Sequence, residues 1–199
     1  RFGDWKTHGL VDIIQAIAES CNVYFYTIGG GYGEKIGLGV NRIKKYLELF
    51  GLGRLSNIDL SSEEKGFIPD ENWKKNTKGE KWYIGDTYHL SIGQGDISVT
   101  PLQMAMAVAA ISNGGALYQP QLVDKIADFK KNVIKDIQPK IVRRYFISPE
   151  NLAVVREGMR QTVLTGSAQT LKDLPIEAAG KTGTAQFENS NRTHAWFVA

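Results

Sequence analysis

Apolar positions in the first half of the chain recur mostly at helical spacing. Leu10, Ile13, Ile14 and Ile17 fall three or four residues apart, which predicts a helix reaching Glu19. Ser20-Cys21-Asn22 interrupts it, and Asn22 suits the cap of a second helix through Val23-Tyr24-Phe25-Tyr26, so a helix-turn-helix joint is expected. Gly29-Gly30-Gly31-Tyr32-Gly33 reads as a flexible connector, not a nucleotide loop, because no strand precedes it. A third helix from about Val40 to Phe50 sets Ile43, Tyr46, Leu47 and Phe50 on one face, with Gly51 as its stop. Residues 53 to 87 form a long, polar, irregular stretch with Pro69, Trp73 and Trp82 as anchors, and loops of that length tend to pack over a site. Thr100-Pro101-Leu102-Gln103 marks a helix start, Thr as cap and Pro at the first helical position. The helix that follows, to about Ser112, is apolar nearly all round; it should be the buried core helix, ended by Asn113-Gly114-Gly115.

The second half changes period. Tyr118 to Ile126 and Ile134 to Tyr145 favour strands, joined as a hairpin by a charged turn near Asp128-Phe129-Lys130-Lys131-Asn132. Ser148-Pro149-Glu150 opens an amphipathic helix that carries Leu152, Val155, Met159 and Val163 and ends near Gly166. Leu174 to Ala179 and Ala185-Gln186-Phe187 read as the approaches of a buried strand centred on Gly180-Lys181-Thr182-Gly183-Thr184. After a polar turn at Glu188 to Thr193, a strand from His194 onwards should pair with it antiparallel. The run Ala195 to Ala199 looks like a strand cut short, and the chain like a fragment. The expected class is α+β, a helical part over about 1–115 and a hairpin, helix and strands over about 116–199.

Composition narrows this only a little. With 199 residues, 42% hydrophobic and 23% charged, the chain can bury a core and is most simply one domain or a large piece of one. A net charge of +3 with no dense basic block does not suggest nucleic-acid binding. Cys21 is the lone cysteine, which excludes an internal disulfide and the usual thiolate metal sites. His8, His89 and His194 show no metal-ligand spacing and read as surface or capping residues. The longest apolar run, Met104 to Ile111, is too short to span a bilayer, and no secretory signal is seen.

The densest chemistry lies in Gly180 to Thr184. A lysine, two hydroxyls and bare backbone N–H groups each donate to a carboxylate or an oxyanion, and glycine in a strand marks a close approach to the backbone. The phosphate-binding loop that also ends in Gly-Lys-Thr is excluded, because it needs Gly where Pro175 stands and a helix where Gly183-Thr184-Ala185 follows. On the motif alone, an ordinary lysine beside a Gly-rich turn stays open.

Two short elements then stand in a particular order, Ser20-x-Asn22 at a helix joint and Lys181-Thr182-Gly183 on a late strand. With an earlier Ser-x-x-Lys, that pair is the signature of penicillin-binding proteins and class A β-lactamases. The chain resembles the transpeptidase domain of the elongation-type class B penicillin-binding proteins, the penicillin-binding protein 2 group, over nearly its whole length. The likeness rests on His8 to Asp12, Ala16-Ile17 with Ser20 to Tyr26, Gly85-Asp86-Thr87, Ser91-Ile92-Gly93-Gln94-Gly95 with Thr100 to Gln103, and Lys181 to Gln186. Division-type transpeptidases are the nearest alternative; β-lactamases fit less well. One departure stands out: no Ser-x-x-Lys precedes Ser20. Ser62-Glu63-Glu64-Lys65 is the only one present, and it comes too late, in a polar stretch, with two carboxylates that would hold its lysine charged. It is assigned to a solvated turn.

The resemblance implies serine acyl transfer on stem peptides ending in D-Ala-D-Ala, with β-lactams as mimics and no metal or organic cofactor. It implies catalytic roles for Ser20, Asn22, Lys181 and Thr184 and substrate binding by Thr182, Gly183 and Thr184. Ser20 would relay a proton, Asn22 would orient the catalytic lysine and a substrate amide, and Lys181 would supply positive field. The two threonines would grip the substrate carboxylate, and the Thr184 N–H would form half an oxyanion hole. It also implies a periplasmic or cell-surface location with an N-terminal anchor, and a membrane glycan polymerase and elongation-complex proteins as partners. The chain by itself is expected to be inactive. A non-catalytic penicillin-binding or scaffold domain is the alternative.

Overall fold

The computed structural model describes residues 2–186 and 192–199, and Phe187 with most of the expected polar turn lies outside them. The first helix, α1 (Ile13–Ala18), is shorter than its apolar spacing suggests. Asp12 caps it, accepting from the Gln15 N–H, while Gln15 reaches back to the Asp12 N–H, and this box leaves Leu10 outside and fully exposed. Helix α2 (Asn22–Gly30) follows after a sharp joint. Its cap position is Cys21, not Asn22, which lies in the first turn. Gly29 and Gly30 belong to this helix instead of a flexible connector. A side chain at Gly29 would fall 1.7 Å from Ser91 Oγ and one at Gly30 would fall 2.1 Å from the Tyr88 ring, so the pair lets α2 sit hard against the helix carrying those residues.

Strands β1 (Gly31–Tyr32) and β2 (Lys35–Ile36) make a small hairpin, and α3 (Gly39–Leu49) follows close to expectation, Gly51 turning the chain with φ +91°. The stretch from 53 to 87 is not wholly irregular. It contains α4 (Glu71–Lys78), capped by Asp70 on the Trp73 N–H and stopped by left-handed Gly79. It also contains the first half of α5 (Ile84–Ser91), at whose start Asp86 accepts from the Tyr83 N–H. Trp73 stacks against Phe67, and the Trp82 indole donates to Thr87, so both tryptophans do anchor the segment.

Helix α6 (Pro101–Ser112) begins at the expected Thr100 cap, reinforced by Gln103. It is not buried all round: Gln103, Ala107 and Ala110 form its buried side, whereas Ala105 and Ala109 are exposed. Gln103 is fully buried because its amide donates to the carbonyls of Arg54 and Lys65, tying the loop to the helix. A core cluster of Leu52, Ile68 and Ala107, with Leu47, Phe50, Val99 and Met104 around it, closes this part.

The hairpin is present but divided. β3 (Leu117–Tyr118) pairs with β6 (Ile141–Arg143), and β4 (Lys125–Ala127) with β5 (Val133–Asp136), both antiparallel and each with a register shift. Helix α7 (Pro149–Leu164), capped by Ser148, packs along α1. A short turn of 3-10 helix at Gln169–Leu171 follows. The segment from 174 to 177 is then exposed and irregular, not a buried strand approach, with Leu174 and Ile176 facing solvent. β7 (Lys181–Gln186) and β8 (Thr193–Val198) pair antiparallel from Lys181 opposite Val198 to Gln186 opposite Thr193. Among the described residues the class is α+β, seven α-helices with small antiparallel sheets.

Candidate active site

The joint between α1 and α2 presents Ser20. At this helix end the Cys21 N–H bonds the Ala16 carbonyl (3.0 Å) and the Ser20 N–H bonds the Ile17 carbonyl (3.3 Å). That is the Schellman pattern, in which the residue after the cap takes a left-handed conformation and is usually glycine. Here it is Ser20, at φ +56°. A non-glycine residue held there carries about 1 kcal/mol or more of backbone strain, and such strain clusters at functional positions. The Trp5 indole donates to the Ser20 carbonyl (3.3 Å) and steadies the joint.

Lys181 reaches this serine from the start of β7. Its Nζ donates to Ser20 Oγ (2.9 Å) and to the Thr182 carbonyl (2.6 Å), so residues 161 apart in sequence meet. Burial pushes the ammonium down from 10.5 to about 8, because the surroundings solvate its charge poorly. An amine so placed is a mild cation at neutral pH with a fraction already free to take a proton.

The loop after α7 locks the two halves together. Gly166 approaches α1 so closely that a side chain there would fall 2.1 Å from the Ala18 carbonyl oxygen. The next residue, Ser167, gives its N–H to Ala18 (3.1 Å), and its hydroxyl meets Thr182 Oγ1 at 2.5 Å. At the strand's entry the Gly180 N–H bonds Met159, and Arg160 donates to the Ala178 carbonyl.

The expected residues are thus brought together unequally. Ser20 and Lys181 touch. The Thr182 hydroxyl is engaged by Ser167, and Thr184 is exposed. A side chain at Gly183 would meet Trp196 Cβ at 3.3 Å. Asn22 is half-buried beside the joint and makes no side-chain hydrogen bond among the described residues. Because strand backbone groups alternate between the two edges, the carbonyls of Thr182 and Thr184 and the N–H of Gln186 share the edge turned away from β8. The Thr184 N–H lies on that same edge, available to an oxyanion. Ser62 and Lys65 are exposed in an irregular stretch, as expected of a solvated turn.

Sequence reasoning missed Ser167, which follows a helix stop and carries no pattern of its own. It also misplaced His8. That side chain is almost fully buried, Nδ1 2.9 Å from Glu19 and Nε2 3.4 Å from Asp4. A left-handed turn at Gly9 folds the segment back, and Asp4 also accepts from the Val23 N–H (3.1 Å). Asp4, His8 and Cys21 thereby set an oxygen, a nitrogen and a sulfur within 4.8 Å of one another, a donor set that could hold a divalent cation. Spacing along the chain hid this group, since folding alone brings Cys21 to the other two.

Comparison with known proteins gives a consistent picture. The penicillin binding protein transpeptidase domain matches residues 1–199. The chain is 32% identical over 191 residues to peptidoglycan D,D-transpeptidase MrdA of Acinetobacter baumannii, covering 95% of this chain and 27% of that protein. Penicillin-binding protein 2 of Helicobacter pylori, solved in complex with MreC, superposes with a TM-score of 0.78 at 33% identity, covering 98% of this chain and 35% of that one. The corresponding protein of Pseudomonas aeruginosa gives 0.78 at 30% identity, over 96% and 41%. The chain spans about a quarter to two fifths of the length of these relatives.

Proposed function

This chain belongs to the penicillin-binding-protein transpeptidase family, and on that premise we propose that it forms one wall of a peptidoglycan D,D-transpeptidase site. The single observation that carries the reading is the 2.9 Å contact between Lys181 Nζ and Ser20 Oγ, which joins the family's two short motifs in one place. Residues about 1–115 supply the helical part of the domain, and about 116–199 supply the hairpin, helix and site strands.

The reaction is acyl transfer. A serine from a Ser-x-x-Lys segment outside these 199 residues attacks the carbonyl of the penultimate D-Ala. Its Oγ–C bond forms as the C–N bond to the last D-Ala breaks, and the serine proton passes to the leaving amine. An amine of a neighbouring strand then repeats the exchange in reverse and frees the serine. Ser20 stands in this path as the relay, its hydroxyl accepting from Lys181 and able to hand a proton on. Lys181 supplies a positive field beside Ser20, and because burial makes its charge costly to hold, its proton is loosened and more readily passed on. The Thr184 N–H serves the oxyanion, a donor whose loss typically costs about 3–4 kcal/mol of transition-state stabilisation. Thr182, held by Ser167, and Thr184 receive the substrate carboxylate, Gly183 leaves room for the acyl group, and Asn22 orients the substrate amide.

Substrates are stem peptides ending in D-Ala-D-Ala, and β-lactams are their mimics. Partners are a membrane glycan polymerase and elongation-complex proteins; the Helicobacter pylori neighbour bound to MreC supports this. We place the whole protein at the periplasmic face of the inner membrane or at the cell surface. No helix among the described residues is long and apolar enough to cross a membrane. The test is release of D-Ala from a pentapeptide by the protein extended to the length of its relatives. Lys181→Ala is expected to lower kcat/KM at least about a hundredfold. A folded protein that releases no D-Ala, or one indifferent to Lys181→Ala, overturns the reading.

A further inference from the structure

A serine at φ +56° keeps that conformation only while its surroundings hold the peptide groups on either side of it. The Ser20 N–H is held by Ile17, and the peptide that follows Ser20 is gripped at both ends. Its N–H, that of Cys21, bonds the Ala16 carbonyl (3.0 Å), and its carbonyl accepts from the Trp5 indole (3.3 Å). Among the described residues no other group donates to that carbonyl. We propose that Trp5 is a positioning residue for the proton relay, its indole N–H holding the Ser20 peptide so that the Ser20 hydroxyl stays on Lys181.

Trp5 is itself fixed by the segment that carries it. Its backbone N–H bonds one oxygen of Asp4 (2.8 Å), and the other oxygen of Asp4 accepts from the Val23 N–H in the first turn of α2 (3.1 Å). The next residue, Lys6, pairs with Glu19 (3.0 Å) while its ammonium lies over the Trp5 ring, 5.0 Å from the centroid. His8 meets the same ring edge-on and also bonds Glu19 (2.9 Å). The segment from Asp4 to His8 therefore straps the joint on both sides, the end of α1 through Glu19 and the start of α2 through Val23. Trp5 is the member of the strap that reaches the relay residue. Because Trp5 is 60% exposed, water competes for its hydrogen bond, so losing the N–H should cost rate without unfolding the joint.

The inference rests on the transpeptidase reading above, and its test uses the protein extended to the length of its relatives. Acylation by benzylpenicillin is followed to saturation, which separates the limiting rate from the dissociation constant of the first complex. Trp5→Phe and Trp5→β-(3-benzothienyl)alanine both remove the N–H, and the second keeps the shape of the indole should phenylalanine fail to fold. Each is made in the parent and in Ser20→Ala. In the parent the limiting rate should fall about three- to tenfold with the dissociation constant unchanged, since one part-exposed hydrogen bond is lost and no substrate contact is. In Ser20→Ala the same replacements should change the rate by less than about twofold, because the hydroxyl that Trp5 positions is gone. Equal losses in both backgrounds mark a general structural role and overturn the inference, as does a loss carried by the dissociation constant. Absence of acylation in the parent overturns the transpeptidase reading and this inference with it, whereas normal acylation indifferent to Trp5 overturns this inference alone.

Discussion

Lys181→Met should make the fold more stable at neutral pH and less able to act. Burial lowers the Lys181 ammonium from 10.5 to about 8, which corresponds to about 3 kcal/mol of cost to hold it charged, and about 2 kcal/mol once water on the open side is allowed for. The sign follows from proton binding. Below about pH 8 the amine is protonated in both folded and unfolded chains, and the full cost applies. Between about pH 8 and 10.5 the unfolded chain still holds a proton that the folded chain has released, so stability climbs with pH. Above that range the cost is gone. Methionine removes the charge at every pH and forfeits the bonds to Ser20 and Thr182, worth about 1 kcal/mol. The variant should therefore be about 1 kcal/mol more stable than the parent near pH 7 and about 1 kcal/mol less stable near pH 11. Urea denaturation of both proteins across that range measures the swing. Burial pushes the Tyr24, Tyr26 and Cys21 groups up, so both proteins weaken in base, but the difference cancels this. A difference independent of pH would refute the desolvation argument.

Substitutions at three further positions probe how the fold and the site are held. Ser20→Gly and Ser20→Ala both lose the hydroxyl, but only glycine relaxes at φ +56°, so the glycine variant should be about 1 kcal/mol the more stable by urea denaturation. Gly166→Ala drives a methyl group into the Ala18 carbonyl and should cost at least about 2 kcal/mol, with a thermal midpoint several degrees lower. Gln103→Leu strands the carbonyls of Arg54 and Lys65 and should cost about 2–4 kcal/mol; a midpoint equal to the parent's would show that the loop finds other partners.

Elements carrying strong local chemistry were legible in the sequence. The Thr100-Pro101 start of α6, the Ser148 cap of α7 and the pairing of β7 with β8 all follow from capping residues or period. Helix α4 escaped notice because Glu71 to Lys78 is almost wholly polar, although its Asp70 cap and Gly79 stop were visible. Asn22 looked like a cap and is not one, because the chain turns at left-handed Ser20, a tertiary choice that no local propensity reveals. Ser20 and Lys181 could be named from their motifs. Their support could not: Ser167, Trp5 and Gln94 act through hydrogen bonds spanning 15 to 90 residues, set only by packing. The burial of His8 between Asp4 and Glu19 depends likewise on one backward turn.

The central claim, that this chain forms a wall of a serine acyl-transfer site whose nucleophile is not Ser62, is tested most directly by mapping a penicillin adduct. The protein extended to the length of its relatives, treated with a fluorescent penicillin and digested, should carry one label on a serine of a Ser-x-x-Lys segment outside these 199 residues. That label should be lost in Lys181→Ala and kept in Ser62→Ala, while the 199-residue chain alone shows no mass shift. A label on Ser62, or a labelled 199-residue chain, would contradict the account.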